Sequence, residues 1–390
     1  MSQTSAMITK LIKPLYISSF LFVCFISFPC YDVNAQIPRT SFLKGWHVAP
    51  SYFHGSIFKH TPKFRPEIPH ASNAFELNFA KQMNGRREWQ QVQRYPFLGV
   101  AAGYTHFGNN EVIGHGFSLM PNIELLLLST QRFSFHFRTG SGLAFLSKHY
   151  DYVQNPTNNL VGSSINNISF FSFSGNWLAT DKLSFFAGGS FTHFSTGSVQ
   201  TPNLGINIPA WNIGIKYTPV PYSPTDFIKK ELSVPTKKVL FALFAGRGFQ
   251  EGGVPNGPLY GVYTTEFMVG KMLTRWNKCF AGVMGTYKEA AYTFIRLQEI
   301  YTSNYFLNSC AASVYAKDEF LFGFIGVSVA AGYYVYRPSP LEHRFYQKLG
   351  MPLYFPPIGK IKNDVFSLGV YLTAGGFTAD FVSVEAGFQF

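Results

Sequence analysis

His193 and Ser195 stand two residues apart in the segment FTHFSTGSVQTPNLGIN, residues 191–207. On a strand, residues two apart point to the same face. A neutral imidazole can take the proton of a nearby hydroxyl and turn it into a nucleophile. The preceding residues of the same parity are Leu183, Phe185, Ala187, Gly189 and Phe191, an apolar row. The opposite row holds Lys182, Ser184, Gly188, Ser190 and Thr192, with Phe186 and Phe194 as exceptions. In a membrane barrel the apolar row faces lipid, and His193 and Ser195 face it too. Polar groups there need partners, and a lipid-facing nucleophile implies a lipid substrate. Taken alone, His-x-Ser is a weak motif, and an interfacial pair bonded to headgroups or to each other is the default reading.

The elements that must position such a pair are strands. The chain has 390 residues, of which only 13% are charged and 18% aromatic, with 42 Phe and 22 Tyr. This is too apolar and aromatic for a disordered chain, and too poor in charge to cover a soluble enzyme of this size. A helical membrane protein needs several apolar runs of about 20 residues, and only the N-terminus approaches that. Period-2 alternation is pervasive instead. Phe133, Phe135 and Phe137, for example, alternate with Arg132, Ser134, His136 and Arg138. About fifteen such runs are legible, eight between Trp46 and Tyr217 and the rest between Lys238 and Phe390, many of a length that crosses a bilayer when tilted. The final run puts Val382, Val384, Ala386, Phe388 and Phe390 on one face, and Phe381, Ser383, Glu385, Gly387 and Gln389 on the other.

The fold class expected is therefore all-β, an antiparallel transmembrane β-barrel. Barrels use even strand numbers, so one run is misread or a strand is hidden, with Arg337–Asn363 the first place to look. One barrel of about 14 strands is the favoured reading, and an eight-stranded barrel with a second, smaller β unit is the alternative. Lys10 and Lys13, the apolar run Leu15–Pro29 and Val33-Asn34-Ala35 make residues 1–35 an export signal cleaved near Ala35. Residues 36–218 then form the barrel region carrying the His-x-Ser pair. Residues 219–236, with four prolines, form a loop or linker, and residues 237–390 add further barrel strands.

His193-x-Ser195-x-Gly197, followed by Pro202-Asn203-x-Gly205-x-Asn207 and a strand, resembles the outer-membrane lipid A 3-O-deacylase (PagL-type) and acyloxyacyl hydrolase family. The resemblance is strongest over Thr192–Tyr217 and extends more weakly over Gly45–Pro219, for instance at FHFRTGSGLAFLS, residues 135–147. It implies an esterase that removes a fatty acyl chain from lipid A. Ser195 would be the nucleophile, His193 the base, and Asn203 an oxyanion-stabilising or positioning residue, with backbone N–H groups near Thr196 or Gly197. The chain departs from the family's pattern in two places. Thr196 stands where the family often has Asn, and Asn207 where the well-studied branch has a Glu that orients the His. An Asn can hold a ring nitrogen in one tautomer but cannot stabilise the imidazolium by charge. The C-terminal aromatic Phe390 resembles the signal by which outer-membrane barrels are recognised by the assembly machinery.

Other features carry less. Gly246–Gly253 lacks a Walker Lys-Ser/Thr and reads as a turn. Glu124 reads as a paired or lumenal charge. Cys279 and Cys310 read as buried small apolar residues, with a disulfide the alternative. No Cys/His spacing resembles a metal site, and no cofactor is expected. The net charge of +12 suits a leaflet rich in anionic phosphates better than nucleic acid, because the charges are not clustered. The partners expected are thus lipopolysaccharide as substrate, outer-membrane lipid and the assembly machinery, in the bacterial outer membrane. A homodimer is left open. The rival reading is a barrel without catalysis, either a channel or a structural protein.

Overall fold

The computed structural model describes residues 42–232, 239–340, 343–355, 365–376 and 378–390. The expected export signal, residues 1–35, lies outside them. The chain divides into two compact units, one of residues up to Thr196 with Pro202–Lys230, the other of Gly197–Thr201 with Glu231–Phe390.

The first unit is a closed barrel of eight antiparallel strands. They are β1 (Trp46–Gly55), β2 (Ser72–Gln82), β3 (Phe97–His106), β4 (His115–Ser129), β5 (Phe133–Leu146), β6 (Ile165–Thr180), β7 (Leu183–Ser195) and β8 (Ile206–Tyr217). Each pairs with the next, and β8 closes on β1 with Trp211 opposite His54 and Ala210 opposite Gly55. A short helix, α1 (Glu88–Val92), lies between β2 and β3.

Alternation decides which side each residue takes. Phe75, Phe173 and Ile213 point outward and are 61%, 50% and 50% exposed. Asn78, Asn122, Glu124, His136, Asn212 and Lys216 point inward and are buried. Glu124 is lumenal and paired, with Lys216 Nζ at 2.6 Å and His136 Nδ1 at 2.8 Å from its Oε1. An apolar wall around a polar, ion-paired lumen is the distribution of a barrel whose exterior meets lipid. The end bearing the long loops is stoppered by apolar groups, among them Phe107, Leu160, Val161, Phe170, Phe194 and Ile206.

The second unit is also a closed eight-stranded barrel. Its strands are β9 (Val239–Glu251), β10 (Leu259–Thr274), β11 (Asn277–Lys288), β12 (Cys310–Phe322), β13 (Ile325–Tyr336), β14 (Phe345–Tyr354), β15 (Val365–Gly375) and β16 (Thr378–Gln389). Helices α2 (Glu289–Leu297) and α3 (Tyr305–Asn308) connect β11 to β12. Inside, Lys348 bridges Glu266 and Glu385, with both Glu385 oxygens at 2.7 Å, and Lys317 pairs with Glu319 at 2.9 Å. Outside, Phe241, Leu243, Phe267, Val329 and Leu349 are exposed. Phe390 and Phe241 exchange two backbone hydrogen bonds of 2.9 Å where the last strand meets β9.

Two closed barrels replace the single barrel of about 14 strands, and replace the eight-stranded barrel with a smaller companion. The difference comes from β14, which lies inside Arg337–Asn363 and raises the second half to eight strands. Gly350 and Pro352 weaken its strand signal, since Pro cannot donate to a ladder. Gly246–Gly253 is likewise not a turn at its start, because β9 continues to Glu251. A Cβ at Gly246 would sit 2.5 Å from Glu385 Cγ, so the glycine makes room for the buried carboxylate. Cys279 and Cys310 are free thiols, and neither is buried as expected: Cys279 is exposed and Cys310 half-buried. Among the described residues no helix is long and apolar enough to cross a membrane, and no metal-binding cluster occurs.

Candidate active site

The site stands at the end of β7 that runs into the apolar stopper. Phe194 points inward, 1% exposed, and packs edge-to-face on Phe107 with centroids 5.4 Å apart. That anchor fixes its neighbours outward, since adjacent strand residues face opposite ways. His193 and Ser195 therefore share the outer wall with Phe185 and Phe191.

The β7–β8 register sets His193 directly opposite Asn207. His193 Nδ1 lies 2.6 Å from Asn207 Oδ1. An oxygen acceptor there requires the ring proton on Nδ1, which leaves the lone pair on Nε2. Nε2 is thus the nitrogen available to a serine hydroxyl. Among the described residues this is the hydrogen bond that His193 makes. The hydroxyl of Ser195, a residue 6% exposed, is bonded instead to Asn203, whose Nδ2 lies 2.9 Å from Oγ. Catalytic hydrogen bonds often tighten only when substrate is bound.

Asn203 comes back to Ser195 because the loop after β7 reverses tightly. Gly197 and Ser198 are both left-handed, with φ of 65° and 67°. Asn203 Oδ1 then accepts the Thr196 N–H at 3.0 Å. In this structure that N–H is engaged by Asn203 rather than open to a developing oxyanion. Asn203 Nδ2, beside Oγ, is the better-placed donor. Gly197 begins the short segment grouped with the second unit.

Three further groups complete the surroundings. Gly205 has φ of 78°, and a Cβ there would come within 2.7 Å of His193 Cε1. Only glycine allows both the backbone turn and the close passage against the ring. On the other flank, β6 sets Ser169 opposite His193 and Asn167 opposite Ser195. Asn167 Nδ2 reaches Ser141 Oγ at 2.9 Å, extending the polar patch to β5. Finally, Asn207 Nδ2 lies 3.0 Å from His60 Nδ1. The sequence reading did not single out His60, Asn167 or Ser169. Asn167 and Ser169 interrupt an outward row that continues with Phe171 and Phe173, and that interruption was the available signal.

One residue pair away along β7, an open groove of about 730 Å³ begins at Phe191. It is walled by Phe171, Phe173, Phe191 and Trp211, with Gly189 on its floor. The arrangement sets a hydroxyl, an imidazole whose Nδ1 faces a carboxamide oxygen, and two carboxamides beside a groove walled by aromatic rings. Those are the parts needed for acyl transfer from a substrate with a long hydrocarbon chain.

Residues 237–390 match the family model described as acyloxyacyl hydrolase, C-terminal domain. The match thus falls on the second barrel, whereas the motif resemblance falls on the first. No curated protein matches the chain. Among solved structures, the chain is similar to the outer membrane enzyme PagL at 17% identity, over 43% of this chain and 98% of that one, with a TM-score of 0.31. It is similar to Neisserial surface protein A at 10% identity, over 45% and 97%, with a TM-score of 0.31. The Pseudomonas putida toluene transporter TodX matches at 7% identity, over 90% and 89%, with a TM-score of 0.17.

Proposed function

We propose that this chain, which carries an acyloxyacyl hydrolase C-terminal domain over residues 237–390, is an outer-membrane esterase that hydrolyses a fatty acyl ester of lipid A. The observation that carries the reading is the polar cluster of His193, Ser195, Asn203 and Asn207 set into the lipid-facing wall of the first barrel. Polar groups are costly there and are retained for function.

In the reaction, Ser195 Oγ attacks the ester carbonyl as His193 Nε2 takes its proton. Asn207 Oδ1 holds the Nδ1 proton and so keeps the lone pair aimed at the hydroxyl. Asn203 Nδ2 donates to the oxyanion. The tetrahedral intermediate collapses to an acyl-serine, and His193 returns the proton to the departing sugar hydroxyl. Water, deprotonated by the same nitrogen, then releases the fatty acid and restores Ser195. The acyl chain lies in the groove walled by Phe171, Phe173, Phe191 and Trp211. No step requires a metal or cofactor.

The channel reading has little support, because ion-paired side chains occupy both lumens, as an eight-stranded diameter favours. The test is mass spectrometry of lipid A from cells expressing the protein. The unmutated chain should remove one acyl chain. Ser195→Ala and His193→Ala should each cost several orders of magnitude in rate while the barrel still migrates in its folded, heat-modifiable form. Unchanged lipid A with the unmutated chain would sink the proposal.

A further inference from the structure

His60 lies far from the motif in sequence, yet it touches Asn207 because the barrel closes on itself. Past the paired ends of β1 and β8 the two chains keep company. The Ser56 N–H donates to the Pro209 carbonyl at 3.4 Å and the Phe58 N–H to the Asn207 carbonyl at 2.7 Å. Two residues on, His60 is exposed but held between aromatic rings, Phe58 at 6.5 Å and Phe64 at 5.1 Å between centroids. Its Nδ1 is then 3.0 Å from Asn207 Nδ2.

A carboxamide has a wrong way round. With Oδ1 toward His193 it demands a proton on Nδ1 and frees Nε2 to act as base. Turned over, it would offer N–H to Nδ1, force the ring proton onto Nε2 and remove the base. A carboxylate has two acceptor oxygens and no such failure. Asn207 therefore needs something that distinguishes its two ends. The amide nitrogen can only donate, so a ring nitrogen facing it must be an acceptor. His60, in the tautomer that carries its proton on Nε2, supplies that acceptor.

We infer that His60 is a positioning residue, which orients the Asn207 carboxamide and through it holds His193 in the base tautomer. The inference rests on the esterase reading for its substrate, but not for its chemistry, since any reaction of Ser195 through His193 would show it.

The experiment uses the full chain folded in detergent, with two readouts. One is the rate at which a fluorophosphonate probe labels Ser195, and the other is kcat and KM on a lipid A ester. His60→Phe keeps the ring packing and removes the acceptor. It should slow labelling and lower kcat by about 10- to 100-fold, the usual range for a group that orients a reacting one, with KM little changed. His60→Gln, whose Oε1 can accept from Asn207, should recover most of the rate. In an Asn207→Glu background, His60→Phe should have almost no effect, because a carboxylate needs no orienting. An equal loss in both backgrounds would mean that His60 merely supports its loop, and would overturn the inference. So would an effect on KM alone, or none at all. If Ser195 labels but lipid A is untouched, the substrate reading fails while the His60 comparison still decides. No labelling of the unmutated chain overturns both.

Discussion

At the scale of residues, the site depends on one position without a side chain. Gly205 passes against the His193 ring in a left-handed conformation. Gly205→Ala should cost about 1–2 kcal/mol for the backbone alone. The added methyl would also push against the imidazole and disturb its hydrogen bond to Asn207. We expect hydrolysis to fall by at least tenfold, with thermal unfolding of the barrel shifted only slightly. Loss of folded protein rather than of rate would place the glycine's role in folding. This residue was legible as part of a string, but its reason was not, because a left-handed turn beneath an imidazole is visible only in three dimensions. His60 was not legible at all. Its partner is remote in sequence, and only the closing pair of strands brings them together.

At the scale of elements, alternation located most of the strands but not the number of barrels they close. The parity that set His193 and Ser195 with Phe185 and Phe191 is the one β7 shows. It failed where strand chemistry is disguised. Pro352 and Gly350 hid β14. The groove beside the site belongs to this scale too, because it is made by rows on neighbouring strands. Gly189 leaves its floor open, with nothing within 4 Å of where a Cβ would stand. Gly189→Leu should therefore fold normally and obstruct the groove. At about 0.8 kcal/mol per methylene excluded, losing two would lower kcat/KM roughly tenfold for a long-chain ester. Turnover of a short-chain ester by the same variant should be nearly unchanged. Equal losses on both esters would show that the chain does not lie there.

At the scale of the whole molecule, one chain closes two barrels, each around its own ion pairs. In the second barrel Lys348 is buried between Glu266 and Glu385. Lys348→Met would leave two carboxylates facing each other without compensation, a loss of about 3–5 kcal/mol. The check is the midpoint of urea unfolding in lipid vesicles, followed by a signal from the second barrel. Adding Glu266→Gln and Glu385→Gln should restore much of the loss. A single substitution with no effect would mean that the lumen is more hydrated than its burial indicates.

The proposed pair, His193 and Ser195, has the outward parity of β7 rather than a place in the lumen. On the proposed reading its supply of substrate is consequently two-dimensional. Encounter depends on lateral diffusion within one leaflet and on the fraction of that leaflet made of reactive lipid. The molarity of lipid in the tube is then the wrong variable. On the proposed esterase reading, inert lipid mixed into the same bilayer should compete simply by occupying area, so the rate should follow the composition of the membrane.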